Sequence, residues 1–269
     1  MTKQGIDPTL PGRGLEHERM PGHWLLAQMG KRVLRPGGLE LTQQMLDALE
    51  IGPTDDIVEF APGLGVTAKA ALGQGPRSYI GIERDERAAV LVRGYLEGDS
   101  QRCLVGLAEE TGLPDASASV VYGEAMLTMQ TERHKADIVA EAARILRSGG
   151  RYGIHELSLR PDTLADELKD EIQQALSEAI HVGARPLTAD EWRSLLEAQG
   201  LQIEIRVESP MHLLEPRRLL RDEGLPGALR FVWNVARTPA ARRRIRAMRS
   251  VFRHYSEQLS AIAIVAAKP

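Results

Sequence analysis

The chain has one cysteine, Cys103. That excludes a disulfide framework within the chain and any thiolate metal cage, so no metal is expected. The surrounding Arg102-Cys103-Leu104-Val105 reads as a strand with a buried, inert thiol. Aromatic residues make up only 4% of the chain, little material for a base-stacking nucleic-acid platform. Positive charge is not in surplus either. Lys and Arg number 34 against 37 Asp and Glu, a formal net charge of −3, which makes no case for a polyanionic partner. No apolar run approaches the ~18 residues of a membrane helix. Met1-Thr2-Lys3-Gln4-Gly5 lacks an apolar signal core. The expectation is a cytoplasmic protein with no membrane partner. Internal repeats and low-complexity tracts are absent.

What is present is 269 residues, 43% of them apolar, enough for one large α/β domain with appended helices. The organising stretch is Ile57-Val58-Glu59-Phe60-Ala61-Pro62-Gly63-Leu64-Gly65-Val66-Thr67. A short apolar run ends in an acid, a Gly-bearing turn follows, and Ala-rich helical sequence begins. This is how a buried parallel strand feeds a helix through a tight loop. Gly63 and Gly65 permit positive φ and close approach of a ligand to the backbone. A second apolar run, Tyr79-Ile80-Gly81-Ile82, ends in Glu83. An acid at the tip of the second strand of a βαβ unit sits where a ribose diol lies.

Around this stretch the chain divides into three. Residues 1–20 are polar and expected to be loosely held. Trp24 to Val33 has helical spacing, Arg35-Pro36-Gly37-Gly38 breaks it, and another helix starts near Thr42, so 1–50 reads as an N-terminal helical cover. Strands at 57–60, 79–82, 102–105, 118–122 and 151–157 then alternate with helices near 66–73, 85–97 and 132–147, predicting a parallel sheet with helices on both faces. A long amphipathic helix is expected over 162–181. Thr188 with Glu191 forms a capping box for a helix running to Gln199, with Gly200 after it. Leu201 to Glu208 alternates as a half-buried strand. The core is thus assigned to 51–209 together with 259–269, whose apolar Leu259–Ala267 run inserts as a closing strand, the two late strands pairing antiparallel. Residues 210–258 form a helical, basic insertion with 11 Arg and 4 acids.

Gly63-Leu64-Gly65-Val66-Thr67-Ala68 also satisfies the G-x-G-x-x-A dinucleotide pattern. Two points weigh against NAD. Glu59 opposes a pyrophosphate but suits a nearby cation, and the chain lacks a second mononucleotide-binding half.

Taken together, the Val58–Gly65 stretch, Gly81-Ile82-Glu83 and Ala142-Ala143-Arg144-Ile145-Leu146-Arg147-Ser148-Gly149-Gly150-Arg151 resemble three motifs of the class I S-adenosylmethionine-dependent methyltransferases. The likeness covers roughly 40–208 plus the last strand. It implies a doubly wound, seven-stranded, mostly parallel Rossmann-like sheet, with the N-terminal helices and a helical cap before the last strand. It also implies S-adenosyl-L-methionine as cofactor. The segment Arg35–Thr42 is similar to one that closes over the cofactor in small-molecule members. On this resemblance the cofactor meets Gly37, Gly38, Glu59, Ala61, Gly63, Gly65, Glu83, Arg84, Leu107, Ala108, Glu109 and Glu124. Two departures stand out. Ala61 occupies a position where the family often has Gly. Leu107 stands in Gly106-Leu107-Ala108-Glu109, where the family commonly has the Asp that accepts from the adenine amino group.

Methyl transfer from a sulfonium is an in-line displacement with an activated leaving group. Holding the reactants collinear in a dry pocket is most of the task, and a base is needed only for a high-pKa acceptor. Candidates for catalysis lie at the end of the fifth strand, His155 and Glu156. His155 also has a structural reading, as a hydrogen-bonded buried imidazole. Trp24, Met126 and His181 are candidates for the acceptor pocket. Arg242, Arg246, Arg249 and Arg253 share one helical face beside Ile245, Met248, Phe252 and Tyr255. That face reads as solvated, with an anionic acceptor as the sharper alternative. The expected activity is methylation of a small, moderately hydrophobic, acidic acceptor. An RNA methyltransferase, a non-catalytic binding module and an NAD-dependent oxidoreductase are the rivals. A homodimer stays open.

Overall fold

The computed structural model describes residues 10–12 and 14–269. Its centre is β1 (Asp56–Phe60), whose buried Ile57, Val58 and Phe60 place it inside the sheet. β1 turns through Gly65, in the left-handed region at φ 70, into α3 (Val66–Leu72). β2 (Ser78–Glu83) follows, then α4 (Glu86–Arg93), whose N-terminus is capped by Asp85 accepting from the amides of Arg87 and Ala88. β3 (Gln101–Val105), β4 (Ala118–Glu124), α5 (Glu132–Ile145) and β5 (Leu146–Leu159) complete the parallel part.

Strand order is β3-β2-β1-β4-β5-β8-β7. The chain therefore runs outward from β1 through β2 and β3, then returns to β1's other side with β4. That reversal opens a crevice at the carboxyl ends of β1 and β4, where open α/β sheets bind ligands. β8 (Leu259–Ala267) lies between β5 and β7 (Gln202–Pro210), antiparallel to both, as the apolar closing run predicts. The fold is the mixed α/β, mostly parallel, Rossmann-like one that the alternation implies.

Helices α2 (Gly38–Ala48), α3 and α4 pack on one sheet face, and α5 and α7 (Ala189–Glu197) on the other. Both halves of the Thr188–Glu191 capping box form, and Trp192 donates to the Leu157 carbonyl at 3.2 Å. A third apolar cluster lies beyond the carboxyl end of β5. It joins Leu157 and Leu159 to α1 (Gly22–Gln28), α6 (Asp166–Ile180), α8 (Pro216–Arg237) and α9 (Pro239–His254).

Several expectations change. The first helix stops at Gln28 rather than Val33, because Gly30 takes φ 101 and turns the chain. β5 begins at Leu146, continuing straight out of α5. A two-residue strand, β6 (Leu187–Thr188), pairs with β5. The insertion is two helices, the first bent at Gly224. Residues 1–9 and 13, expected to be loosely held, lie outside the described residues. Within 14–20 the chain is tied down, since the buried Arg244 donates to the carbonyls of His17 and Met20, each at 2.8 Å.

Candidate active site

Three carboxylates converge on the crevice, at or next to the carboxyl end of a strand. Glu59 is the penultimate residue of β1, and the hydroxyls of Tyr79 and Tyr122 donate to its Oε2 at 2.6 and 3.0 Å. Burial dominates and pushes its carboxyl up to about 8, since the two phenols only partly offset the loss of water. Its Oε1 carries no hydrogen bond from the described residues, and the residue lines the cavity. Glu83, at the tip of β2, accepts from the Gly63 amide at 2.9 Å and the Asp85 amide at 3.0 Å. Burial raises its carboxyl too, against the pull of those amides.

Glu124 ends β4 and behaves oppositely. Burial pushes its carboxyl up, but the Arg35 charge and the His155 hydrogen bond outweigh it and hold it at about 2. Thr42 donates to Oε1 at 2.6 Å and Thr67 donates to Oε2. Arg35 Nε lies 3.4 Å from Oε2 and donates to the Thr42 hydroxyl at 2.6 Å. Glu124 thus ties the loop before α2 to α3 and the sheet.

These groups face a cavity of about 330 Å³. Ala61, Gly63, Arg84, Leu107, Ala108, Glu109, Trp24 and Met126 are also in its lining, so most of the sequence-derived candidates come together. Ala61 takes φ 52, the left-handed conformation that Gly adopts freely. Leu107, at the suspected adenine position, is 48% exposed and lines the cavity together with Gly106, Ala108 and Glu109.

Six candidates lie outside that lining. His155 is fully buried, with Nδ1 2.6 Å from Glu124 Oε1 and Nε2 2.5 Å from the Pro36 carbonyl. A carbonyl only accepts, so Nε2 carries hydrogen, and neither nitrogen is free to act as a base. Glu156, also fully buried, accepts from the amides of Met126, Leu127 and Thr128 and from the Thr128 hydroxyl. Neither side chain lines the cavity, and His155 makes the hydrogen bonds of its structural reading. Their side chains position the loops after β4 and before α2. Gly37 and Gly38, at φ 71 and 63, turn the chain so that Arg35 and Pro36 face the cavity. A Cβ on Gly38 would meet Asp222 Oδ1 at 2.5 Å. Gly65 packs on Tyr95, whose hydroxyl would lie 1.1 Å from an added Cβ, so this Gly is required by packing. His181 is an exposed cap at the end of α6.

Arg35, Thr42 and Thr67 are the site residues that motif reading passed over. Their signals were the Arg35–Thr42 segment for the first two and the end of the Ile57–Thr67 stretch for the third. Arg35 lines the cavity, and its buried Nη2 has no hydrogen-bond partner among the described residues. A sheet crevice of this order, with a left-handed Gly-bearing loop and an acid at the tip of β2, defines a Rossmann-like protein for a nucleoside-bearing cofactor.

Residues 58–154 match the family described as methyltransferase domain. Over 251 residues the chain is 29% identical to an uncharacterised protein of Haemophilus influenzae, covering 92% of this chain and 98% of that one. Among solved structures, its fold is similar to a geranyl diphosphate methyltransferase in complex with GPP and sinefungin. There the TM-score is 0.62 at 17% identity, over 86% of this chain and 78% of that one. It is also similar to an N-methyltransferase of Haemonchus contortus in complex with phosphomonomethylethanolamine and S-adenosylhomocysteine. That comparison gives TM-score 0.68 at 14% identity, over 92% of this chain and 57% of that one. A [4+2]-cyclase, SpnF, shares the fold as well, at TM-score 0.63 and 17% identity over 86% of this chain and 80% of that one. Residues 58–154 are thus similar to a methyltransferase domain, and the chain shares the fold of these neighbours; the cofactor that the sequence resemblance implies is S-adenosyl-L-methionine.

The residues present fit that cofactor. The orphaned Arg35 Nη2 offers a donor for a carboxylate, Glu59 lines the cavity as a partner for a cation, and Glu83 has lone pairs left for a diol.

Proposed function

We propose that this enzyme methylates a small acceptor with an apolar body and an anionic group. The observation that carries the reading is the continuity of the cavity. From the three carboxylates it runs under α1, α6 and α9, where Trp24, Leu26, Leu176, Met248 and Phe252 form its wall. It shares Met211, Leu213 and Phe252 with a second cavity of about 670 Å³. The second cavity is walled by Arg217, Arg218, Arg221, Arg249 and Arg253. Glu215 pairs with Arg249 and Arg253, and Glu40 with Arg218 and Arg221, so the wall stays net positive.

When bound, the cofactor supplies an activated methyl group on a cationic sulfur. Glu59 and Arg35 would hold its amino-acid end and Glu83 its ribose. The apolar wall excludes water and fixes the acceptor's approach, and orientation of this kind lowers a barrier by roughly 7–11 kcal/mol in favourable cases. His23 lines the same wall. Burial, with the Arg84 charge, lowers its imidazole to about 4, so at neutral pH it is uncharged and able to accept a hydrogen bond from an acceptor hydroxyl.

The test is label transfer from radiolabelled S-adenosylmethionine to a panel of apolar carboxylic acids and phosphates, their neutral amides and esters, and transcripts. Charged apolar acceptors are expected to exceed their neutral counterparts by about tenfold, the size of one charge-assisted contact. Phe252→Asp should abolish turnover while calorimetry still registers the cofactor. Equal labelling of charged and neutral compounds, or labelling of transcripts alone, would remove this reading.

A further inference from the structure

α8 is apolar on two opposite faces. It bends at Gly224, φ 66, just before Pro226. In the half that follows, Phe231 and Val235 pack into the third apolar cluster, and Asn234 donates to the Met29 carbonyl at 3.0 Å. The opposite face packs against no other element among the described residues. Leu225, Leu229, Val232 and Trp233 are 62%, 61%, 57% and 61% exposed. They fall at i, i+4, i+7 and i+8, one continuous stripe. They are the four most exposed large hydrophobic side chains among the described residues, the next reaching 52%. Scattered exposed apolar residues need no explanation, but a stripe does.

Charge decides what covers it. Residues 224–256 hold eight arginines and no carboxylate. Arg230 and Arg237 flank the stripe, with the Arg237 guanidinium 5.1 Å from the Trp233 ring centre. Arg243 and Arg246 are exposed on α9. A second copy docking about a twofold axis would set two carboxylate-free basic segments against each other, which opposes association. A nucleic acid would use the arginines but leave the leucines in water. A membrane surface rich in anionic lipid uses both, since helices that lie in the headgroup plane combine an apolar face bearing Trp or Leu with flanking basic residues. Lying in that plane needs no spanning helix, and no described helix is long and apolar enough to span.

We infer that the second half of α8 docks on an anionic phospholipid surface, burying the Leu225–Trp233 stripe among acyl chains and setting Arg230, Arg237 and the exposed arginines of α9 among phosphates. The helix rests on the segment from Met29 to Leu34, and Leu34 lines the candidate acceptor cavity.

The experiment uses the full chain with vesicles of phosphatidylcholine alone or with roughly a third phosphatidylglycerol. Partition is measured by sedimentation and by tryptophan emission. Trp192 is fully buried and Trp24 partly so, which makes Trp233 the reporter. Binding to the anionic vesicles is expected to be about tenfold stronger than to neutral ones, with a blue-shifted emission, and to weaken with salt. The paired change Leu229→Ser and Trp233→Ser should abolish partition with thermal unfolding and cofactor affinity unchanged. Arg230→Gln with Arg237→Gln should lower it about tenfold. Trp233→Phe should keep partition and lose the emission shift. Equal binding to both vesicle types, or partition that survives the Leu229/Trp233 change, overturns the inference. So does a dimer in sedimentation equilibrium that this change dissociates, because a second copy would then be the occupant.

Discussion

Glu59 and Glu124 face the same cavity and are held in opposite states. Burial keeps Glu59 protonated up to about 8, whereas Arg35 and His155 overcome burial to hold Glu124 ionised down to about 2. For Glu59 the folded value lies above the ordinary 4.5, so the native state holds an extra proton across pH 4.5 to 8 and loses stability as pH rises through that window. Glu124 works the other way, its contribution present above pH 4.5 and lost as pH falls toward 2. Glu59→Gln keeps an acceptor for both tyrosine hydroxyls and removes the titration. Its melting temperature at pH 9 should exceed that of the parent, by roughly 2–4 °C for each kcal/mol regained, and the difference should vanish at pH 5. Cofactor titrations at pH 7 in buffers of different ionisation enthalpy should show proton release from the parent and none from the variant. Identical pH profiles for the two proteins would show that Glu59 is not the titrating group. At this scale Glu59 and Glu83 were readable because each belongs to a local strand-and-turn motif. The buried, hydrogen-bonded state of His155 was also anticipated, but its meeting with Arg35 and Thr42 at Glu124 was not, because it happens only across the folded sheet.

The loop from Gly30 to Leu39 is an element without regular structure that nevertheless holds its shape. Glu223 accepts from the Arg32 and Val33 amides at 2.8 and 3.0 Å, and Asp222 from the Leu39 amide at 3.3 Å. Lys31 is fully buried between them, 3.7 Å from Asp222 and 3.6 Å from Glu223, and burial lowers its ammonium's pKa. The first half of α8 thus clamps the loop that aims Arg35 into the cavity. Glu223→Ala strands two amides and half of the counter-charge of Lys31. It should cost about 3–5 kcal/mol, speed amide exchange over 30–39 and weaken cofactor affinity. Unchanged exchange there would show that the clamp lies elsewhere. The sequence marked 210–258 as helical without placing the helix that carries the clamp, whereas the Thr188–Glu191 box forms as its spacing requires. The end of α1 was misread because apolar spacing continued to Val33 while Gly30 had already turned the backbone.

Across the whole molecule, the last strand lies inside the sheet. β8 is buried along eight of its nine residues and bonds to β5 on one side and β7 on the other. Deleting 259–269 would expose two strand edges and the apolar faces β8 covers, far more than the roughly 5–15 kcal/mol that stabilises a domain. The truncated chain is expected to be insoluble or to lack a cooperative thermal transition. A soluble, cooperatively unfolding product would refute the central role of β8. Charge is also divided at this scale: a chain of net charge −3 concentrates 11 arginines against 4 acids in 210–258.

Local periodicity and short motifs settled the alternation of strands and helices, the Gly-bearing loop after β1 and the acids Glu59 and Glu83 on either side of it, because strand period, turn chemistry and caps act over a few neighbouring residues. Packing alone decided that His155 and Glu156 are sealed inside, that Arg35 reaches Glu124, and that one face of α8 is left bare. Those outcomes depend on which distant segments share a volume, and no spacing along the chain encodes that.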